Sequence, residues 1–292
     1  MVMLNNNLHI FIIAAETGSL TETAKKLYIS QPAVSQAIKK LEEELNVRLF
    51  IRNKRSSLIL TEVGKEILTL ANQMYELENR LYQKAYEENQ MLKGIVRIAS
   101  VPLATSLILS RVMPIFKKQF PDVEIELFES DPLSVKNMVL DYKADIGIST
   151  SPYLGLEHKV LMKDRMVSID RHRPKTVDLS EMVSDLILCR VAYESITEQL
   201  KGKNIDLSNS LIVEAASTQI NLIANGNGTG VISELMLSSI PNSLVIGKAL
   251  PKMEMDISLI AHDFNELSVA AKQMTEMILE RGYSYVYLPD EN

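Results

Sequence analysis

The sequence predicts an α/β protein whose N-terminal part is all-helical apart from a small β-wing. Three observations support this fold class. Apolar residues of the first sixty positions fall at helical spacing in short runs. Residues 61–91 carry one uninterrupted apolar stripe, and from Lys93 onward strand-like apolar runs alternate with amphipathic helices. Because 292 residues exceed one typical domain, we expect three parts, at 1–60, 61–91 and 92–292.

The composition is that of an ordinary globular protein, with 46% hydrophobic and 23% charged residues. The single cysteine, Cys189, excludes a disulfide or a cysteine metal site within one chain and fits a reducing compartment. The first residues lack a signal-peptide pattern. The longest apolar runs, such as Ile10 to Ala15, are far shorter than the ~20 residues of a membrane span. We therefore expect a soluble, cytoplasmic protein that does not contact a membrane.

The charge distribution is uneven along the chain. The net charge is −6, yet residues 25–55 hold eight Lys or Arg side chains and only three acidic ones. A basic segment on an acidic chain is typical of a nucleic-acid-binding module joined to another domain. A solvated helix face is the alternative explanation, and charge alone does not separate the two.

The first forty-five residues predict three helices. Helical spacing of Leu8, Phe11 and Ala15 indicates a first helix that ends near Gly18. Ser19, followed three residues later by a glutamate, is a capping box for a second helix that stops near Tyr28. Ser30, followed closely by a proline, begins the third helix. Its inward side chains are expected to be Val34, Ile38, Leu41 and Leu45.

The outward face of the third helix is polar and basic. Two short helices joined by a tight turn, the second with such a face, form the helix-turn-helix pattern. Gln and Ser can hydrogen-bond base edges, while Lys and Arg neutralise phosphates. A basic hairpin that ends in Leu58 to Leu60 would follow as a wing along the DNA backbone. The predicted DNA contacts are Gln31, Ser35, Gln36, Lys39 and Lys40, with Pro32 and Ala33 setting the helix entry, and Arg52, Lys54 and Arg55 in the wing.

A single apolar stripe predicts that residues 61–91 form one long helix of about 45 Å. We call this stripe the apolar seam: Val63, Ile67, Leu70, Met74, Leu77 and Leu81. A solitary helix cannot bury such a seam. It therefore needs a partner, either a second copy of the helix or another part of its own chain.

From residue 93 the pattern predicts a mostly parallel sheet covered by helices. A final amphipathic helix is expected to pack back on the first part of this domain. The predicted strands are 95–100, 123–128, 145–149 and others near Ile187, Ile212, Val231 and Ile257; the predicted helices are 105–120, 133–142 and 266–281. Arg97 is expected to pair with an acid on the strand face.

Motifs for catalysis are absent from the sequence. The four histidines are scattered without an i,i+4 ligand pair, and no G-x-S-x-G or phosphate-binding loop occurs. The glycine-rich segment 225–230 precedes a strand and follows a helix, the reverse of a dinucleotide site, so it is predicted to be a turn. Cys189 lies in an apolar strand and is expected to be a buried small hydrophobe. We predict a protein that is not an enzyme and needs no cofactor or metal.

The run AKKLYISQPAVSQAIKKLEEELNVRLFIRNKRSSLILTEVGKEIL resembles the signature of the LysR-type transcriptional regulators, and the resemblance in architecture covers the full chain. Two residues depart from that pattern: Thr23 stands where the family usually has Ala, and Asn46 where it usually has Gly. Neither lies on the outward face of the third helix. Asn also tolerates the left-handed backbone that a turn requires.

The resemblance implies a winged helix-turn-helix, a long linker helix and a two-lobed, periplasmic-binding-protein-like α/β effector domain. Lobe I would comprise residues 92–163 and 263–292, and lobe II residues 164–262. The linker helix would pair antiparallel with its twin, giving a dimer or, as the family favours, a tetramer. The implied partners are double-stranded DNA, a small-molecule effector and RNA polymerase. The implied function is sequence-specific, effector-responsive regulation of transcription.

A cleft between two α/β lobes is the expected effector site, because ligands bind beyond the carboxyl ends of strands and near helix N-termini. Helix N-termini favour anions, so a small anionic effector is expected, although each Ser or Thr could instead be a simple helix cap. The predicted effector contacts are Ser100, Val101, Pro102, Leu103, Thr105, Ser149, Thr150, Ser217 and Thr218.

Two alternative functions remain open on the sequence. The first is a cytoplasmic solute-binding protein whose N-terminal part serves only in assembly; the basic segment and the missing signal peptide count against it. The second is an effector-independent, architectural DNA-binding protein, which only a ligand screen would distinguish.

Overall fold

The computed structural model describes residues 6–52, 58–88, 93–181 and 183–281. The N-terminal part has three helices and a two-stranded antiparallel wing, as the sequence predicts. Its elements are α1 (Asn6–Thr17), α2 (Leu20–Lys26), α3 (Gln31–Leu45), β1 (Phe50–Arg52) and β2 (Leu58–Leu60). The predicted caps are present: Ser19 Oγ accepts the N–H of Glu22 at 3.4 Å, and Ser30 Oγ accepts the N–H of Ala33 at 3.3 Å.

The core of the N-terminal part forms between α1, α3 and the wing. Val34, Ile38 and Leu41 of α3 are buried as predicted, and the ring of Phe11 meets that of Phe50 edge-on at 5.5 Å between centroids. The prediction for Leu45 is wrong, since its side chain is 44% exposed. The reason is that α3 ends there: Asn46 adopts a left-handed backbone (φ 53°), and Val47 and Leu49 beyond it supply the next core contacts.

Glu42 ties the wing to α3. Its Oε1 accepts the backbone N–H groups of Leu49 at 2.8 Å and Phe50 at 3.3 Å, and its Oε2 accepts the guanidinium of Arg48 at 3.1 Å. Hydrogen bonds to a charged acceptor contribute about 1.5–3 kcal/mol each. The start of β1 is therefore fixed relative to the outward face of α3.

A close backbone contact joins the wing to the next helix. The carbonyl of Leu49 accepts the N–H of Thr61 at 3.0 Å, and the hydroxyl of Thr61 accepts the N–H of Gly64 at 2.9 Å. A Cβ atom on Gly64 would lie 2.3 Å from the Leu49 carbonyl oxygen. Only glycine lets the helix pack this closely against the wing strand.

The long linker helix is α4 (Glu62–Glu88), which agrees with the predicted 61–91 up to its last residues; residues 89–92 lie outside the described part of the chain. Most of the apolar seam is exposed, with Leu70, Met74 and Leu77 each at 57% and Leu81 at 58%. The alternative expectation was that the seam packs against another part of its own chain, and these four side chains do not do so. A different face of α4 does so. Leu68 and Ala71 of this face are buried in the core of the N-terminal part. The side chains that face the larger part of the chain are mostly polar: Asn72, Tyr75, Glu76, Asn79 and Gln83.

The larger part alternates strands and helices. The strands are β3 (Gly94–Ser100), β4 (Val123–Glu129), β5 (Ile146–Thr150), β6 (Glu157–Asp170), β7 (Val177–Asp178), β8 (Leu186–Cys189), β9 (Leu211–Val213), β10 (Thr229–Ser233), β11 (Val245–Leu250) and β12 (Glu254–Ala261). The helices are α5 (Pro102–Ala104), continued by a π-helical turn (Thr105–Leu109) into α6 (Ser110–Gln119), then α7 (Pro132–Leu140), α8 (Arg190–Gln199), α9 (Ala216–Ala224), a 3₁₀ turn (Glu234–Ser239) and α10 (Val269–Arg281).

The strands form a continuous mixed sheet in the order β4-β3-β5-β12-β6-β10-β8-β9, with β11 also on β6. Both ends are parallel, as predicted: β3 pairs parallel with β4 and β5, and β8 pairs parallel with β9 and β10. The prediction of a mostly parallel sheet is wrong in the middle, where β12 and β6 run antiparallel to their neighbours. The reason is the place of β12, which lies between β5 and β6 and runs opposite to both, so that β5 and β6 themselves point in the same direction.

The 14-residue strand β6 is shared by two halves of the sheet. Its first part pairs with β12 and its second part with β10 and β11. The division into lobe I (92–163, 263–292) and lobe II (164–262) stays a prediction. Because β12 pairs with β5 from Ile257 to Ile260, strand pairing favours a return to lobe I earlier than residue 262.

The last helix packs where the sequence predicted. Met274 and Ile278 of α10 are fully buried in one core with Val96 and Ile98 of β3. Residues 225–228 of the glycine-rich segment form a turn between α9 and β10, as expected, whereas Thr229 and Gly230, which were predicted to belong to the turn, begin β10. Among the residues described, no helix is both long enough and apolar enough to cross a bilayer.

Candidate nucleic-acid interface and ligand cavity

The outward face of α3 is exposed as the sequence predicted. Its exposed members are Gln31, Pro32, Ala33, Gln36, Lys39 and Lys40. Ser35 is half-buried and lines a small cleft with Glu42 and Phe50, so it lies toward the wing. Lys39 and Lys40 form long surface ion pairs with Glu43 (3.4 Å) and Glu44 (3.9 Å). Such exposed pairs are weak, and both ammonium groups can transfer to a phosphate.

The wing residues are described only in part. Arg52 is the last residue of β1, but the structure does not describe its side chain, and Lys54 and Arg55 lie outside the described residues. Their predicted contacts with the DNA backbone therefore stay predictions.

Tyr28, which was not among the predicted DNA contacts, lies in the turn between α2 and α3. Its backbone is left-handed (φ 55°) and its side chain is 96% exposed. The sequence feature that could have identified it is an aromatic residue between the caps of two helices. Tyr28 precedes the first residue of α3 by three positions.

A cavity with a volume of about 700 Å³ lies between the two halves of the sheet. Five of the nine predicted effector contacts line it: Val101, Pro102, Leu103, Thr150 and Ser217. The other four do not. Ser100 Oγ donates to the Val101 carbonyl at 3.1 Å and Ser149 Oγ to the Pro132 carbonyl at 3.0 Å, while Thr105 and Thr218 are absent from the lining.

Most of the cavity wall that the second half of the sheet contributes was not predicted from the sequence. Its residues are Asp164, Met166, Cys189, Ile220, Ser233 and Met236, among others. Asp164 could have been noticed as an acid inside a strand with Met162 and Met166 on either side. Cys189 is buried as expected, and burial raises the pKa of its thiol.

The charges of the lining are acidic. Asp164 and Glu214 are present, and none of the lining residues is Lys, Arg or His. The Lys136 ammonium donates to the carbonyl of Thr150 at 3.2 Å without lining the cavity. Helix N-termini are therefore the remaining support for the expectation of an anionic effector.

Polar side chains of α4 hold the helix against β3, the end of α7 and the start of α10. Asn72 Nδ2 donates to the carbonyl of Asp141 at 2.9 Å, Asn79 Nδ2 donates to the carbonyl of Ile95 at 3.2 Å, and Gln83 Oε1 accepts the N–H of Ala270 at 2.9 Å. These contacts connect the helix to the part of the chain that contains the cavity.

A buried charged cluster lies beneath the same face. The Arg97 guanidinium stacks on Tyr75, 4.4 Å from the ring centre. It also donates a hydrogen bond to Glu126 at 3.1 Å, which confirms its predicted pairing with an acid. Asp145 Oδ2 accepts the backbone N–H of Arg97 at 2.7 Å. Burial, and then repulsion by Asp145, raise the pKa of Glu76 well above its ordinary value.

Replacing Glu76 with Gln is expected to stabilise the protein increasingly as pH rises. A raised pKa means that the folded state favours the protonated acid, so the wild type loses stability as pH rises from the ordinary pKa of Glu through the raised one. Glu76→Gln keeps a neutral side chain throughout. Urea unfolding from about pH 5 to about pH 8 would measure the difference in the free energy of unfolding between the variant and the wild type. This difference grows to about 1.36 kcal/mol for each unit by which folding raises the pKa of Glu76. Glu66→Gln, at an exposed position on α4, is the control; a pH-independent gap between Glu76→Gln and wild type would contradict the expectation.

The described features define a class: a regulatory protein with a helix-turn-helix domain and a ligand-binding domain. Residues 5–65 match the family model of bacterial regulatory helix-turn-helix proteins of the lysR family, and residues 89–282 match the LysR substrate binding domain. The chain belongs to the LysR family. It is a transcriptional regulator with a DNA-binding helix-turn-helix and an effector-binding domain, as the sequence resemblance implied.

Full-length relatives agree with this assignment. The chain is 40% identical over 285 residues to the HTH-type transcriptional regulator YoaU of Bacillus subtilis, covering 95% of this chain and 98% of that protein. It is 30% identical over 287 residues to YvbU of the same organism, another HTH-type transcriptional regulator, with the same coverage of both chains.

Solved structures share the whole fold at low identity. A full-length OxyR variant from Pseudomonas aeruginosa superposes with a TM-score of 0.66 at 18% identity, covering 97% of this chain and 98% of that one. CbnR, a LysR family transcriptional regulator, gives 0.59 at 19% identity over 96% of this chain and 99% of that one. These similarities establish the architecture.

Proposed function

We propose that α3 enters the major groove of an operator and that the wing follows the DNA backbone. Gln31, Ser35 and Gln36 contact base edges, while Lys39 and Lys40, with Arg52, Lys54 and Arg55 of the wing, neutralise phosphates. Pro32 and Ala33 set the angle at which α3 enters, and Tyr28 adds a contact from the turn. The observation that supports this most is the exposure of one polar face of α3, while Val34, Ile38 and Leu41 of the opposite face are buried.

The apolar seam of α4 is proposed to pair with the seam of a second copy. Four large apolar side chains in a row, each more than half exposed, support this pairing, because apolar surface of this extent on one helix is typical of an interface. Pairing places two copies of α3 on two half-sites. Dimers of dimers would give the tetramer that the resemblance favours, and the bound oligomer would contact RNA polymerase.

The 700 Å³ cavity is proposed as the effector site. Its walls come from both halves of the sheet, so a bound ligand stabilises one relative placement of the halves over others. The contacts between α4 and the sheet would pass that change to the DNA-binding domains. Its relatives are transcriptional regulators. We propose that this protein likewise regulates transcription in the cytoplasm and catalyses no reaction.

Fluorescence anisotropy with the DNA upstream of the protein's own gene tests this function. Salt would be titrated in the presence of non-specific competitor DNA. Tight binding that survives competitor and falls steeply with salt would support a specific regulator. Binding lost to competitor at every site tested would indicate the architectural alternative, and no binding at low salt would contradict the proposal.

Gln36→Ala and Arg52→Ala are expected to have different effects on operator binding. Removing Gln36 should reduce discrimination between operator and altered sequences by about 1–3 kcal/mol. Removing Arg52 should weaken binding to all sequences and reduce the salt slope by about one unit. Lys118→Ala, an exposed lysine at the end of α6, is the control. Equal effects of the two substitutions on specificity and salt slope would contradict the assigned roles.

A further inference from the structure

The lining of the cavity carries no positive charge. None of its residues is Lys, Arg or His. The Lys136 ammonium, which donates to the carbonyl of Thr150 at 3.2 Å, does not belong to the lining. An anionic group that entered the cavity would therefore lose its hydration without gaining a cationic side chain as a partner, and such burial of a charge is costly.

The two acids of the lining already have partners. Asp164 accepts a hydrogen bond from the Ser233 hydroxyl and two from backbone N–H groups, at 2.8 Å and 3.3 Å. Glu214 accepts the guanidinium of Arg190 at 2.7 Å. Neither carboxyl group needs a positively charged ligand as its partner, and in its ionised form each would repel an anion.

The helix ends at the cavity offer little to an anion. The helix α5 is a single turn that begins with Pro102, which has no N–H group. The side-chain charges at the starts of α8 and α9 cancel, because Arg190, the first residue of α8, is paired with Glu214, two residues before α9. What remains is the dipole of the backbone. Its contribution is smaller than the cost of removing a carboxylate from water.

The rest of the lining is mainly apolar and comes from both halves of the sheet. Methionine side chains are flexible and polarisable, and they adapt to aliphatic and aromatic groups alike. The hydroxyl groups of Ser106 and Ser217, which are exposed lining residues, can exchange hydrogen bonds with a neutral polar group. The apolar members on which the argument rests are Val101, Leu103, Met166, Ile220, Ile232 and Met236.

We propose that the effector is a neutral molecule, with an apolar body that packs against the methionine and aliphatic side chains and one hydroxyl or carbonyl group toward the exposed serines. This inference rests on the proposed role of the cavity as the effector site, and it replaces the anionic effector expected from the sequence. The volume of about 700 Å³ is within the range of about 300–1,000 Å³ that is typical of ligand pockets.

An apolar ligand is suited to hold the two halves of the sheet together. Val101 and Leu103 follow β3 in the first half, while Ile220 of α9 and Ile232 of β10 belong to the second. A body between them removes apolar surface of both halves from water at once. Binding therefore favours one placement of the halves over others, and it does so without a charged contact.

Calorimetry on the full-length protein at about pH 7 with matched probes tests the ligand class. The first set is 2-phenylethanol, 2-phenylethylamine and 3-phenylpropanoate, and the second is hexanol, hexylamine and hexanoate. In each set the alcohol is expected to bind at least about tenfold more tightly than either charged probe, a difference of about 1.4 kcal/mol. Its heat-capacity change should be negative, because apolar surface is buried. A charged probe that binds as tightly as its alcohol, or no binding of either alcohol, would overturn the proposal.

Two neighbouring positions of α9 locate the ligand. Ser217 and Thr218 are both exposed, but only Ser217 lines the cavity. Ser217→Lys places a cation at the cavity and should shift the preference between carboxylate and alcohol at least about tenfold toward the carboxylate. Thr218→Lys adds the same charge one residue away and should keep the preference of the wild type. Circular dichroism would check that both variants are folded. The same shift in both variants, or a shift in neither, would refute the site.

Operator binding without probes separates the two levels of inference. Both lysine variants should bind the upstream DNA as the wild type does. Operator binding together with no preference for the alcohols would overturn only the ligand class. A wild-type protein that binds the alcohols but no DNA would overturn the proposed regulatory function and leave the neutral ligand of the cavity standing.

Discussion

The double variant Leu77→Glu, Leu81→Glu is expected to be monomeric and to bind its operator at least about 100-fold more weakly than the wild type. Both side chains are in the exposed apolar seam of α4, at 57% and 58% exposure. Four carboxylates in a paired seam would repel one another and be costly to desolvate. A monomer contacts one half-site and loses the effective concentration of the second domain, which contributes about 10²–10⁴ in affinity.

Sedimentation velocity and anisotropy would measure the two effects on one sample. The control, Gln119→Glu with Asn204→Glu, adds the same charge at exposed positions outside the seam. It should remain oligomeric and lose far less affinity. If the seam variant keeps the wild-type sedimentation coefficient, α4 is not the interface.

Gly64→Ala is expected to destabilise the N-terminal part by about 2 kcal/mol. In an unobstructed helix this substitution stabilises by about 1 kcal/mol. Here the new Cβ would be 2.3 Å from the Leu49 carbonyl oxygen, and such overpacking costs typically 1–3 kcal/mol, occasionally more. The clash is with backbone, which has no rotamer to change. The start of α4 must therefore move away from the wing.

Urea unfolding measures the change in the free energy of unfolding. The affinity for the operator shows whether the wing is still placed for DNA binding. Glu66→Ala, an exposed position in the same turn of α4, should change stability by only a few tenths of a kcal/mol. An alanine at position 64 that stabilises the protein would show that the wing and α4 separate in solution.

Local signals predicted the helix-turn-helix well. The caps at Ser19 and Ser30 depend on hydrogen bonds within a few residues, so their residue types identify them. Leu45 was assigned to the core by spacing alone, and the left-handed Asn46 overrode that spacing. Helical spacing does not show where a helix ends.

Non-local pairing explains what the sequence did not reveal. Val101 and Pro102 could be placed at the cavity because they follow a strand. Asp164 and Ser233 reach it only because β6 pairs with β10 and β12, and no periodicity encodes those pairings. For the same reason the antiparallel middle of the sheet and the polar contact face of α4 were not expected.

The contacts of α4 with the sheet have a consequence for domain exchange. Asn72, Asn79 and Gln83 bond to backbone groups of Asp141, Ile95 and Ala270, and every non-proline residue carries those groups. The surface that faces α4 can therefore change its side chains without losing these three bonds. A DNA-binding part that brings these amides on its helix should dock on the effector domain of a divergent relative. A graft displaced by one residue would rotate the amides by about 100° and lose all three.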